Sequence, residues 1–336
     1  MTIDQQFEPD SGDRDVAARL IRTAGRREQP PVEAYERALR AATTAWQVKV
    51  GRRRRGRFTL WLAAGLAAVS AIALFDRYLD TGTPVRVGVV DRAIGVVEWR
   101  EPDREGWRAA SHSMDLLGGG TLRTREGSAS ITLDNGVSVR IAQASEVRLH
   151  APSRIDVVEG LVYVDTHAST PVVRRIEVVT DAGTAWDVGT QFEVLYRNAT
   201  YRLRVREGRV VVQRGEREFD GHAGEQLLLT RAGEMQRTRV SLSGSEWRWV
   251  EQLATVPVID QRSLTDLLEW VARETGRPIR FVSLDVKHAA ARTVLHGALR
   301  DLPPLDALGV ILATTDFDYA LPDDGTILIS ARGDTR

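Results

Sequence analysis

The residues best suited to acid–base or metal chemistry are thinly spread. The six histidines are His112, His150, His167, His222, His288 and His296. No two are spaced i, i+4, and none joins a cluster with metal-ligand spacing. The chain has no cysteine, which removes thiolate zinc sites, iron–sulfur clusters, disulfides and cysteine nucleophiles. Gly118-Gly119-Gly120 before Thr121 lacks the lysine and following helix of a phosphate loop, and reads as a turn ahead of a strand. Glu159-Gly160 and Glu207-Gly208 also read as turns rather than as sites for a catalytic carboxylate. No acid, base, nucleophile and pocket can be named together. The expectation is a sensing or binding protein, not an enzyme, with neither cofactor nor metal.

Charge separates the elements that would carry such a role. Over 336 residues, 46 basic groups balance 46 acidic ones. Residues 1–57 nevertheless hold 12 Arg and 1 Lys against 4 Asp and 4 Glu, a surplus of +5, which leaves −5 for the remainder. Between the two lies Phe58–Phe75, 18 residues without a charge. As a helix it would cover roughly 27 Å, about the hydrocarbon thickness of a bilayer. Arg52, Arg53, Arg54, Arg55 and Arg57 precede it, and the positive-inside rule then sets residues 1–57 in the cytoplasm and 76–336 outside. A cleaved signal peptide ending at Ala71-Ile72-Ala73 would need a 57-residue leader, and a buried core helix would seldom follow four arginines. The reading is a single-pass anchor over 58–77.

The tail, 1–57, carries two helical patterns. Val16, Leu20, Ile21 and Ala24 share one face over residues 13–25. After Pro30-Pro31, Val32, Tyr35, Leu39, Ala42 and Trp46 recur at alternating steps of three and four. Two short helices barely bury such stripes by themselves, so the second is expected to dock on a protein partner through Tyr35, Leu39 and Trp46. Rival readings are a helix lying on the anionic inner leaflet and a small DNA-binding module. The arginine run sits at the membrane edge, so direct contact with nucleic acid is not expected.

From residue 84 to about 242 the pattern changes to alternation with glycine punctuation, the mark of a mainly-β domain. Asp134-Asn135-Gly136 between two alternating runs predicts a hairpin with a type I′ turn. A V-x-E-G-x-V-x-V pattern occurs at 157–164 and again at 205–212. The echo predicts repeated strand–turn–strand units in stacked hairpins, a sandwich or a solenoid-like sheet. Residues 246–331 change again and predict a small α+β domain. Its helix at 264–275 is capped by Ser263 with Asp266 and ended by Gly276. Strands are expected at 279–282 and 293–295, then a helix after Pro303-Pro304 and two strands at 317–321 and 326–330. The fold class is multi-domain: helical tail, one membrane helix, mainly-β domain and small α+β domain.

Several stretches carry a resemblance. Ile131–Gly136, Val158–Val164, Asp187–Val194, Val205–Val210 and His222–Gln226 resemble the FecR family of transmembrane sigma-factor regulators. Leu264–Thr275, Gly297 and Ala307-Leu308 are similar to the short domain that opens secretins and TonB-dependent transducers. Together the two likenesses span about 84–331. They imply a bacterial inner-membrane anti-sigma factor whose cytoplasmic segment binds an extracytoplasmic-function sigma factor. The periplasmic part would receive a signal from a TonB-dependent outer-membrane receptor, often one importing iron. The family's tail has a longer tryptophan-bearing helical body, whereas Trp46 is the sole tryptophan of residues 1–50 here. Some relatives cut themselves between a Gly and a Thr at the position of Gly189-Thr190, where the hydroxyl attacks the preceding carbonyl. A tight strand start is the plainer reading of that pair. The rival to a regulator is an envelope scaffold without transcriptional output.

Overall fold

The computed structural model describes residues 85–166, 176–187, 189–229, 234–299 and 302–333. The tail helices, Tyr35, Leu39 and Trp46, the arginine run and the expected anchor all lie outside these residues. Among the described residues, no helix is long and apolar enough to cross a membrane.

Among the described residues, seventeen strands run from Arg86 to Arg239 and form two layers. One layer, sheet A, contains β1 (Arg86–Ile94), β4 (Asp115–Leu117), β6 (Ser128–Leu133), β7 (Ser138–Ile141), β12 (Gln191–Arg197), β13 (Thr200–Glu207), β16 (Glu225–Leu229) and β17 (Met235–Arg239). The other, sheet B, contains β2 (Val97–Arg100), β3 (Arg108–Ala109), β5 (Thr121–Thr124), β8 (Ser145–Ala151), β10 (Glu177–Thr180), β11 (Gly183–Asp187), β14 (Arg209–Arg214) and β15 (Arg217–His222). β9 (Arg154–Asp165) belongs to both: its first half pairs with β8 and β10, its second half with β7 and β12. Alternation turns Val139, Ile141, Val162, Val164, Phe192 and Leu203 inward, where they pack with Trp99, Leu122 and Val147 from the other layer.

The repeated V-x-E-G-x-V-x-V pattern marks corners, not hairpin turns. At Gly160 the chain passes from sheet B to sheet A within β9, and at Gly208 it passes from sheet A to sheet B between β13 and β14. Gly160 has φ +119°, and a Cβ there would lie 2.2 Å from Ser145 Oγ, so the crossing excludes a side chain. The Asp134–Gly136 hairpin is real, but its turn is not type I′: Gly136 takes a positive φ and Asn135 does not. Asn135 Oδ1 instead accepts the Val137 amide proton at 3.0 Å, a side-chain turn that asparagine makes readily.

Beyond β17 come a single 3-10 turn, Ser245–Trp247, and α1 (Arg248–Glu251). The α+β module follows with α2 (Leu264–Thr275), β18 (Ile279–Phe281), α3 (Leu284–Arg292), α4 (Pro304–Ala313), β19 (Phe317–Ala320) and β20 (Ile327–Ala331). The strands form one sheet, order β18-β20-β19, with β18 and β20 parallel. Ser263 and Asp266 make the expected reciprocal cap, and Gly276 closes α2 in the left-handed conformation. Two local expectations fail. α3 stands between the two strands expected at 279–282 and 293–295, where no helix is expected, because Ser263-like capping recurs at Ser283, whose hydroxyl accepts the Val286 amide. The strand expected at 293–295 is one bridge, Ser263 to Val294. The module's core, with Leu267, Leu268, Val271, Leu308, Leu312 and Ile329, is separate from the β core.

Candidate functional site

The outer face of sheet A is polar where the helices cover it. Ser130, Arg140, Tyr163, Glu193, Arg204 and Gln226 lie in one cross-strand row. Each faces outward for a simple reason: its neighbours along the strand, such as Val139 and Ile141 around Arg140, are claimed by the core. A face of this kind normally meets water. Here α1 and α2 lie on it, so Arg140 is only 2% exposed and Glu193 only 1%.

Two arginines hold the carboxyl ends of the two helices. Arg140 Nη1 donates to the Val250 carbonyl in α1 at 3.0 Å, and Nη2 donates to Glu274 Oε1 in α2 at 2.8 Å. Its Nη1 also lies 2.7 Å from Glu274 Oε2, an ionic contact beside that hydrogen bond. Arg206 Nη1 donates to the Glu274 carbonyl at 2.8 Å and Nε to the Leu242 carbonyl at 2.7 Å. Positive charge at a helix carboxyl end satisfies free carbonyls and favours the helix dipole. The guanidiniums also stack. Arg140 lies 5.5 Å from the Tyr163 ring and Arg206 5.1 Å from the Trp247 ring, and those two rings meet edge to face at 6.0 Å. Gly276 admits this approach: a Cβ there would lie 2.1 Å from the Leu242 carbonyl oxygen and 2.6 Å from Arg206 Nε.

A second set of contacts runs beside the first. Arg273 of α2 grips Asp165 at the end of β9, with Nε donating to Oδ2 at 3.0 Å and Nη2 donating to Oδ1. Gln191 Nε2 donates to Asp165 Oδ2 at 3.0 Å and to the Arg273 carbonyl at 3.5 Å. Glu193 accepts from Arg202 Nη2 at 2.9 Å and from Trp249 Nε1 at 3.1 Å. Burial works against every charge in this seam. It pushes the Asp165 carboxyl up despite Arg273, and the Glu251 carboxyl up despite Arg206. Burial opposes the charge on Arg140 too, yet attraction to Glu274 and the bond between them raise the guanidinium above its ordinary value.

Gly189 and Thr190 sit at the edge of this seam. Thr190 is 1% exposed, and Gly189 has φ +73°. Asp187 Oδ2 accepts the Thr190 hydroxyl at 3.3 Å and the Gly189 amide at 3.2 Å. The Thr190 amide donates to Thr166 Oγ1 at 2.8 Å, while the Thr190 carbonyl accepts the Thr166 amide at 3.1 Å. Thr166 follows Asp165 and Thr190 precedes Gln191, so the two residues that grip Arg273 adjoin this pair. No three His, Asp or Glu side chains are grouped as a metal would need among the described residues.

Residues 120–211 match the family model described as FecR protein. This central part of the β domain is similar to the FecR family. The matched stretch holds Arg140, Asp165, Gly189, Thr190, Gln191, Glu193 and Arg206, the whole β side of the seam apart from Leu242. The stretch similar to FecR thus supplies the arginines and the aspartate, and the helices that receive them follow it in the chain. Two crystal structures of a proposed anti-sigma factor from Parabacteroides distasonis ATCC 8503 align at 15% identity. They cover 62% of this chain and 96% and 97% of their own, with TM-scores of 0.33 and 0.34. Overlap so loose carries no argument about this chain's fold or role. Among curated proteins, nothing matches the chain.

Sequence reasoning passed over the seam. Arg140 and Glu193 occupy outward strand positions where a charge looks ordinary. Glu274 did leave a signal, since it continues the apolar stripe Leu264, Leu267, Leu268 and Val271 by one further step of three.

Proposed function

We propose that the protein is an anti-sigma factor: an inner-membrane regulator that binds an extracytoplasmic-function sigma factor with its tail. In this reading Phe58–Phe75 crosses the membrane and the arginine run, with lipid headgroups, fixes the tail inside. The FecR-type domain and the α+β module lie in the periplasm. There they take a signal from the short domain of a TonB-dependent receptor, in a system tied to iron uptake. The single observation that carries the reading is the FecR match at residues 120–211. The charge split and the uncharged span support the topology, and the Tyr35–Leu39–Trp46 stripe supports a protein partner. Deleting the gene and measuring the transcriptome tests it against an envelope scaffold. A discrete set of promoters sharing one sigma-factor recognition element should change, and an unchanged transcriptome would leave the scaffold.

The protein acts in this reading by binding, with one chemical step at most. Thr190 Oγ adds to the Gly189 carbonyl carbon and passes its proton on. The Gly189–Thr190 C–N bond then breaks to an ester, with the nitrogen protonated, and water splits the ester. The hydroxyl held by Asp187 and the left-handed Gly189 favour it. Immunoblots of a doubly tagged chain should show two fragments, replaced by one full-length band in Thr190→Ala. A single band in both proteins removes self-cleavage and leaves the sigma-factor reading standing.

A further inference from the structure

The two modules have separate apolar cores. The β domain closes around Trp99, Ile131 and Phe192, and the α+β module around Leu268, Leu308 and Ile329. A third, small apolar cluster, Tyr163, Trp247 and Val250 with Trp249 against them, seats the segment before Thr255 on sheet A. Hydrogen bonds and ion pairs between α2 and sheet A involve Arg140, Asp165, Gln191 and Arg206. Buried pairs of this kind specify one docked geometry but stabilise it weakly, because each charge gives up its hydration to dock. A seam so built can open without exposing either core. Thr255–Val258, outside helix and strand, joins α1 to the module, and Val258 is 81% exposed. Open grooves of about 1030 and 690 Å³ flank this linker. The first lies over Asp91 and His112, the second between Asp165 and Trp270.

We propose that this seam is a releasable clasp. The module carrying α2 undocks as a rigid body, and undocking frees the strand ends that hold the Gly189–Thr190 peptide. The coupling is direct in the chain. Arg273 holds Asp165 and, through its carbonyl, Gln191. Thr166 and Thr190, one residue away from each, bond to one another through amide, hydroxyl and carbonyl. With Arg273 withdrawn, Asp165 and Gln191 meet water and this clamp becomes the free end of two strands. A partner that binds the module would thereby change the exposure of a peptide on another strand pair, whether or not that peptide is ever cut. The clasp does not depend on the identity of the tail's partner.

Hydrogen exchange on the purified full chain, in detergent micelles, tests the proposal. In the wild type at low denaturant, the Thr190 and Gln191 amides should open at least tenfold more often than the Leu268 and Val271 amides inside α2. Arg273→Glu sets a carboxylate against Asp165 and leaves the module's own core untouched. It should speed exchange at Thr166, Thr190 and Gln191 at least tenfold while α2 keeps its protection. Equal opening of both groups in the wild type would overturn rigid-body release. Unchanged exchange at Thr190 and Gln191 in Arg273→Glu would overturn the coupling. Loss of α2 protection in that variant would show that the module does not survive undocking, and would overturn the clasp as well.

Discussion

A guanidinium with 2% exposure is stable where its charge is answered, and Arg140 is answered twice, by the Glu274 carboxylate and by the α1 carbonyl end. Removing one member of such a pair strands the other. Arg140→Ala should therefore weaken docking of α2 by about 3–5 kcal/mol, the usual cost of leaving a buried charge unpaired. Because each module keeps its own core, the loss should fall on the seam and not on either fold. Calorimetry of the full chain should change from one cooperative transition to two. Replacing the pair by Arg140→Met with Glu274→Leu should restore a single transition, since apolar side chains of similar volume carry no hydration penalty. Two transitions already present in the wild type would contradict this account of Arg140. None of it was visible at the residue itself: an arginine between Val139 and Ile141 looks like any outward strand position. What hides it is α2, 134 residues further along.

At the scale of elements, the legible features were those decided locally. The cap of α2 by Ser263 and Asp266 and its close at Gly276 follow from side-chain and backbone preferences within a few residues. The Asp134–Gly136 hairpin was legible as a reversal, but its turn type was not, because asparagine can either take a positive φ or bond its own backbone two residues on. The V-x-E-G-x-V-x-V echo was read as a turn because Glu-Gly permits one. In both places the chain runs on and changes sheet, a choice made by which neighbours are present, with Ser145 crowding Gly160. α3 was missed because its buried side is only Val286 and Ala290, too narrow a stripe to separate from a loop. The seam assembles residues from β7, β9, β12, β13 and α2, and its pairing is a property of their packing that no single segment holds.

For the whole molecule, zero net charge concealed a basic tail and an acidic remainder, and the uncharged span between them gives the strongest indication of topology in the chain. The mainly-β domain with a small α+β module after it emerges in the structure as two layers and a separate core, and residues 120–211 are similar to the FecR family. The tail is where a regulator would meet transcription, and it is there that the account is most exposed. The most direct measurement is capture of an extracytoplasmic-function sigma factor of the same organism by the tagged full chain, compared with the Leu39→Asp variant. The account predicts that the wild type retains the sigma factor and that Leu39→Asp, by placing a carboxylate in the Tyr35–Trp46 stripe, loses it at least tenfold. Capture of no sigma factor by the wild-type chain would contradict the account.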